Sequence, residues 1–500
     1  MKHILAIIQA GLILAACSNH PSIPDSYSQT DEQPSIYPDY TDVTIPCNIA
    51  PLNFTLPDGE ATECVVQLTW QGGSQTFGKG SRKIQFPEEE WNDILEAAKG
   101  GDITVQLYAN TAEGKWKQFR SFPIHVASEE IDPYLSYRLI SPSYVSYEML
   151  SINQRNLTNF EEKVIYNNMM VGGEADGQCI NCHSYQNYGT DNMQLHMRQG
   201  HGGTLIVSDG VARKVNLKTD STISAGVYPS WHPTKKLIAY STNHTGQVFH
   251  TKDLAKVEVQ DTESDLILYD IEQNQVTTIS AEPNELEVFP WWSPDGKMLY
   301  YASAKFIYTD AYDNREVEIA DRHKEVKYDL YRRAFDEQAQ SFGPADTVYK
   351  ASAMGMSATL PRISPDGRYL LYTQGAFGCF HIWHKDADLH LIDLQTGENR
   401  KLENINSPHT ESYHSWSSNG RWIVVSSRRD DGNYTRPYIG YFDKQGKAHK
   451  AFALPQQDPD FYTLFLRSYN IPEFMKEPVK ITPHELAATA KKEAVRAKYK

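Results

Sequence analysis

A strand, a tight turn and a second strand recur four times in the second half of this 500-residue chain, and that recurrence narrows the fold more than any other feature. The copies read Pro229-Ser-Trp231-His-Pro233 before Leu237-Ile-Ala-Tyr240, Pro290-Trp-Trp292-Ser-Pro294-Asp-Gly296 before Met298-Leu-Tyr-Tyr301, Pro361-Arg-Ile363-Ser-Pro365-Asp-Gly367 before Tyr369-Leu-Leu-Tyr372, and His414-Ser-Trp416-Ser-Ser-Asn-Gly420 before Trp422-Ile-Val-Val425. Proline sets one φ of a tight turn and glycine takes the positive φ, while the aromatic and β-branched run that follows suits a strand. A second strand pair comes after each copy, such as Asp265–Asp270 or Asp388–Asp393. Four strands per unit is the blade of a β-propeller, in which stacked copies bury surface that one copy cannot. Trp231, Trp292, Ile363 and Trp416 are 61, 71 and 53 residues apart, longer than a minimal blade, so loops are inserted. A half unit from Gly203 to Leu217 precedes the first copy and is placed to help close the ring. The expected propeller covers residues 203–478.

Ahead of it, in an expected connector over residues 128–202, lies Cys179-Ile180-Asn181-Cys182-His183. C-x-x-C-H is the attachment pattern for covalent c-type haem: two thiols three positions apart reach both vinyl groups, and the adjacent imidazole becomes the proximal iron ligand. A dithiol wants a βαβ context and a zinc site wants a second Cys/His pair at ligand spacing, and the sequence offers neither. One covalent haem c is therefore expected on Cys179 and Cys182, with His183 on the iron. For the distal side, Met193 and His196 stand out among Met193, His196, Met197 and His201; Arg198 is placed to pair with a propionate. Thr158-Asn159-Phe160-Glu161 is a capping-box pattern, and Val164, Ile165 and Met169 follow it, so a short helix leading to the haem motif is expected, ended by Gly172-Gly173.

Haem is attached to thiols outside the bacterial cytoplasm, and the chain opens accordingly. Lys2 and His3 precede an apolar run from Ile4 to Ala16, too short for a comfortable span, that ends in Leu14-Ala15-Ala16-Cys17. This resembles the lipobox of bacterial lipoproteins, which implies removal of residues 1–16 and a lipid-modified Cys17 as membrane anchor. Residues 17–40, rich in Ser, Pro, Asp and Gln, read as a flexible tether. The formal net charge of −15 argues against nucleic acid or anionic lipid as electrostatic partners.

Residues 41–127 alternate in short segments, with Val66, Leu68 and Trp70 on one face and Ile103, Val105 and Leu107 on another, separated by turn clusters at Pro57-Asp58-Gly59 and Gly72-Gly73. An immunoglobulin-like sandwich is expected. Cys47 and Cys64 can form a disulfide worth about 3 kcal/mol; two buried thiols are the alternative. Phe380-His381-Ile382-Trp383-His384 with His390 holds three imidazoles, but strand alternation would send His381 and His384 to opposite faces. Residues 479–500 suit a helix opening at Thr482 with Glu485 three residues on, or a tail.

The Ser-Pro-Asp-Gly repeats look like those of TolB-like propellers over roughly residues 200–455. Together with the lipobox, sandwich and C-x-x-C-H run, they resemble exported TolB-like lipoproteins of Bacteroides-type bacteria, and that resemblance implies about six blades. The fourth copy departs from it with Ser418-Asn419 in place of Pro-Asp. The expected fold is mainly β, sandwich then propeller, joined by a helical haem-binding connector. Three functions fit such a chain: an envelope-anchored c-type cytochrome that passes electrons to a redox or envelope protein partner, an interaction scaffold in which haem is structural or absent, and a haem-dependent propeller enzyme. No Ser-His-Asp elbow, phosphate loop or diagnostic carboxylate pair favours the last.

Overall fold

The computed structural model describes residues 21–78, 80–141, 149–171, 179–249 and 257–500; the leader, Cys17 and the Gly172-Gly173 pair lie outside them. The chain is mainly β. Its N-terminal unit is a seven-stranded mixed sheet in which Glu63–Trp70 and Asp102–Asn110 pair centrally. Val66 opposes Leu107 and Leu68 opposes Val105, and all four are buried, as their period-two spacing requires. The second layer is not a matching sheet, however. It is a ribbon of Phe54–Thr55 with Lys83–Ile84, plus a helix, Glu88–Ala98, that the strand pattern did not suggest. Trp91, Ile94, Leu95 and Ala98 form its buried stripe, and three glutamates in its first turn face the positive end of its dipole.

Two local expectations meet tertiary pairing and yield to it. Within the segment read as a tether, Ser28 and Gln29 pair in parallel with Lys117 and Gln118, and Ile36 and Tyr40 are buried. The segment read as a helix after Thr158 is instead the strand Glu162–Asn167, paired with Ser151–Asn156; only Asn168–Met170 makes a helical turn. The thiols of Cys47 and Cys64 are free. Cys64 donates to the Arg82 carbonyl at 3.2 Å, and burial pushes its thiol up to about 12.

The four sequence repeats are four antiparallel blades of a propeller-like arrangement, named here by their motif residues. The Trp231 blade runs Val227–Trp231, Leu237–Phe249, Val257–Asp270 and Gln275–Ser280. The Trp292 blade runs Glu285–Trp292, Met298–Lys305, Asp329–Asp336 and Asp346–Tyr349. The Ile363 blade starts at Ser357–Ile363 and the Trp416 blade at Glu411–Trp416. Two more four-strand ladders stand beside them. One holds Cys179–Gln186, Gly189–Arg198, Gly203–Ser208 and Val211–Asn216, with Val495–Arg496 added at its edge. The other, the leading sheet, takes Tyr134–Ile140, Ser151–Asn156 and Glu162–Asn167 and receives Ser468–Met475 from the far end of the chain. Each innermost strand neighbours the next, and Ser468–Met475 lies between the first strands of the Trp416 blade and of the Cys-bearing sheet.

The inner strands share a kink. Tyr228, Phe289, Leu360, Tyr413 and Ile471 have φ of 51, 55, 56, 49 and 51°. Four of the five precede a proline, and each sits at a break in pairing register. Such bulges re-aim the side chains that follow. All first strands of the repeats end at the Pro-Asp-Gly-type turns, which defines a turn face and, at the opposite strand ends, a second face. One apolar core joins the N-terminal unit to the Trp416 blade, and Asp132 fastens the junction by accepting from Ser418 N and Oγ, both at 2.6 Å. Near the C-terminus Thr482 and Glu485 form the capping box of helix Pro483–Ala490.

Candidate functional site

The inner strands surround an axial space that opens at both faces. At the turn face is a cavity of about 360 Å³ walled by Trp231, Trp291, Trp292 and Trp416. At the other face is one of about 450 Å³, within the range of cofactor pockets, and both Cys179 and Cys182 line it. In a regular strand two residues three apart would point to opposite faces. Here the register slips between Ile180 and His183, and the slip brings both thiols to one cavity. Phe380 and Trp383 contribute apolar wall.

His183 follows on the same strand, buried, its side chain fully shielded. Nδ1 lies 2.7 Å from Glu473 Oε2, an ion-pair distance without hydrogen-bond alignment, and neither ring nitrogen has a hydrogen-bond partner among the described residues. A contrast comes from His414, at the corresponding place in the Trp416 blade. Its Nε2 meets the Leu371 carbonyl at 3.2 Å and its Nδ1 the Thr373 hydroxyl at 3.5 Å. Burial, with Arg362 nearby, pulls His414 down to about 3, so it is a neutral structural imidazole. His183 takes the corresponding place in the motif and lacks that satisfaction.

The donor set fits a covalent haem: two thiols on one cavity, and next to them a buried imidazole with an unpartnered Nε2 and a carboxylate at Nδ1, the arrangement that orients metal-bound histidines. Arg138 and Arg198 line the same cavity, and Arg138 has an unpartnered Nε, so cations for two propionates are at hand. His183 itself does not line the cavity.

The two distal expectations are placed elsewhere. Met193 is sealed in the apolar core between the Cys-bearing and leading sheets. His196 is buried with Nδ1 3.2 Å from Thr204 Oγ1, and burial, with a smaller contribution from Arg198, pulls it down to about 3. Neither lines the cavity. His381 opens a helical turn, His381–Trp383, rather than a strand, His384 follows it directly, and their ring centroids are 5.4 Å apart. His384 Nε2 is 2.7 Å from Glu258 Oε2. Among the described residues no three His, Cys, Asp or Glu side chains group to hold a metal ion.

Sequence reading missed Glu473, although Ile471-Pro472-Glu473-Phe474 follows the pattern of Phe289-Pro290-Trp291-Trp292. It also missed that Cys182-His183-Ser184-Tyr185 parallels Tyr413-His414-Ser415-Trp416. The haem-like motif is thus also a copy of the blade motif.

No family model and no curated protein matches this chain. Solved structures similar to it include TolB from Acinetobacter baumannii, 13% identical with a TM-score of 0.41 over 78% of this chain and 85% of that one. Hydrazine synthase of Kuenenia stuttgartiensis is 13% identical, TM-score 0.32, over 53% and 64%. Prolyl oligopeptidase B from Galerina marginata is 10% identical, TM-score 0.38, over 64% and 44%.

Proposed function

We propose that this chain is an exported, lipid-anchored propeller protein of the bacterial cell envelope that carries one covalent haem c and uses it for electron transfer, with the propeller as docking scaffold for a redox or envelope protein. The six four-stranded ladders are read as six blades of one ring, closed by Ser468–Met475. The observation that carries the haem reading is the difference between two equivalent histidines: His414 is satisfied by the fold, and His183 beside two cavity-lining thiols is not.

In this reading Cys179 and Cys182 hold the porphyrin by thioether bonds and His183 Nε2 ligates the iron. Glu473, 2.7 Å from Nδ1, would accept from Nδ1–H once the ring is aligned on the iron, fixing the tautomer and increasing the basicity of the imidazole. Arg138 and Arg198 meet the propionates, and the aromatic wall limits water around the ring. The bound group would supply one-electron chemistry whose potential those neighbours tune.

A second reading, a propeller scaffold without haem, is favoured by one specific observation, that Cys182-His183-Ser184-Tyr185 matches the blade motif. The two are separated by haem staining of a denaturing gel and intact mass, on protein exported by a host that matures c-type cytochromes. Wild type should carry one haem that a Cys179→Ala/Cys182→Ala variant lacks. A folded, exported wild type without added mass would leave the scaffold reading.

A further inference from the structure

Six of the thirteen exposed large apolar side chains among the described residues sit at one face, whereas Val211 lies at the turn side and Val495 and Tyr499 lie on short edge strands. Strand direction places these six at the end opposite the Pro-Asp-Gly-type turns, where the thiol-lined cavity opens. Met149 precedes the strand Ser151–Asn156, Ile307 follows Met298–Lys305, and Met354 precedes Ser357–Ile363. Leu464 and Leu466, 76% and 62% exposed, precede Ser468–Met475. Phe249, 60% exposed, ends the long hairpin arm whose Gln247, Val257 and Val259 line the cavity. At the turn face the large apolar groups Trp231, Trp292 and Trp416 are buried instead. Apolar tips from the leading sheet and from the Trp231, Trp292 and Ile363 blades around one mouth make a ring rather than a groove, a shape suited to a broad apolar surface.

Chain direction indicates which surface. Tyr37 bonds Asp430, in the loop beside Arg428 and Thr435 at the cavity mouth, and Thr44 bonds His449, beyond the strand end at Tyr441 on the turn side. The segment Val43–Ile45 therefore runs toward the turn face. Phe122–Val126 is parallel to it, Asp102–Asn110 antiparallel, Trp116–Gln118 antiparallel to that, and Ser28–Gln29 parallel to the last. So the chain enters Ser28 from the side of the thiol-lined cavity. Cys17 is four residues from Pro21, within reach of about 14 Å.

We infer that the thiol-bearing face lies on a lipid bilayer, with Phe249, Leu464, Leu466 and their neighbours entering the boundary between headgroups and acyl chains. The cavity mouth then opens toward the membrane. The lipid is zwitterionic, because a chain of net charge −15 is repelled by an anionic surface. The orientation rests on the lipid-modified Cys17 of the proposed function, and the apolar ring does not.

The test takes the exported chain with Cys17→Ser, free of acyl groups, and floats it with phosphatidylcholine vesicles. It should partition to the vesicles, and adding Phe249→Ser/Leu464→Ser/Leu466→Ser should lower partitioning at least tenfold. Backbone hydrogen exchange on vesicles should slow over 244–249 and 461–467 and stay unchanged over 208–211, at the turn side. If the wild-type mass shows no acyl groups but flotation and protection persist, the anchor reading fails and the membrane face stands. If acylated protein binds vesicles with no added protection over 244–249 and 461–467, the anchor stands and the membrane face is overturned. Concentration-dependent dimerisation abolished by the triple variant, without flotation, also overturns it in favour of a second copy.

Discussion

Buried histidines give this molecule a pH signature. Burial is the main cause that pulls His196, His381 and His414 down to about 3, each by removing the imidazolium from water. In the unfolded chain each titrates near 6.5, so unfolding takes up a proton at each between about pH 6.5 and 3. Stability from these groups is full above pH 6.5 and is lost as pH falls. Asp261 and Glu287 act in the opposite sense: burial raises them to about 6 and about 7, so the folded chain retains protons that the unfolded chain releases, and their cost appears as pH rises through those values. His381 is the cleanest probe, since its partners are the Thr359 hydroxyl and the Phe377 carbonyl, which an amide can also satisfy. His381→Gln should flatten the fall in unfolding free energy between pH 6 and 4.5 by about 1.4 kcal/mol per pH unit, one proton, whatever it costs at neutral pH. Denaturant titrations at several pH values measure this, and parallel curves for the two proteins would refute the neutral-buried assignment.

At the scale of the element, two chemically identical turns separate backbone strain from packing. Gly296 and Gly367 each close a Ser-Pro-Asp-Gly turn with φ of 71 and 76°. A methyl at Gly367 meets open space, whereas at Gly296 it overlaps the His232 ring, itself buried against Trp292 and Phe335. Gly367→Ala should cost about 1 kcal/mol from the left-handed backbone alone. Gly296→Ala should cost at least about 1 kcal/mol more, because a packed ring has to move. Equal losses in denaturant unfolding would mean that the turn, not its contact with the neighbouring blade, sets the cost. These turns were legible in the sequence because proline, aspartate and glycine act locally, and the strands after them because their apolar period is short. The helix Glu88–Ala98 carries a readable stripe at Trp91, Ile94, Leu95 and Ala98 that strand-by-strand reading passed over. The strand Glu162–Asn167 was not legible after its capping box, since pairing with Ser151–Asn156 decides it. The cysteines of the candidate site were legible, but their shared cavity was not, because a slipped register overrides strand alternation. Glu473 was hidden for another reason: Ile471–Phe474 keeps the first half of the repeat and has no Pro-Asp-Gly turn after it.

For the whole molecule, the critical seam joins residues far apart in the chain. Leu135 pairs with Phe474 and Ile140 with Ser468, so the leading sheet is complete only when the last strand returns to it from the far end of the chain. Such long-range pairing carries a large entropy cost before it is rewarded. Arg436 fixes the return: its buried guanidinium donates to the carbonyls of Tyr462 at 3.2 Å, Phe465 at 2.6 Å and Arg467 at 2.5 Å. Arg436→Leu would leave those carbonyls without their donor, at about 1–3 kcal/mol for each that water cannot reach, so a loss of about 3 kcal/mol or more is expected. The opening should also be local. Hydrogen exchange should accelerate together over 134–140 and 468–475, the two sides of the seam, while 103–107 in the N-terminal sheet keeps its protection. The same strand brings Glu473 to His183, so a loosened seam would also move the carboxylate away from the imidazole. Should 103–107 open at the same rate as the seam, the shared core between the N-terminal unit and the Trp416 blade makes the molecule unfold as one piece. The closing strand would then be a passenger of that core, and the position of Glu473 would depend on the whole fold rather than on the seam.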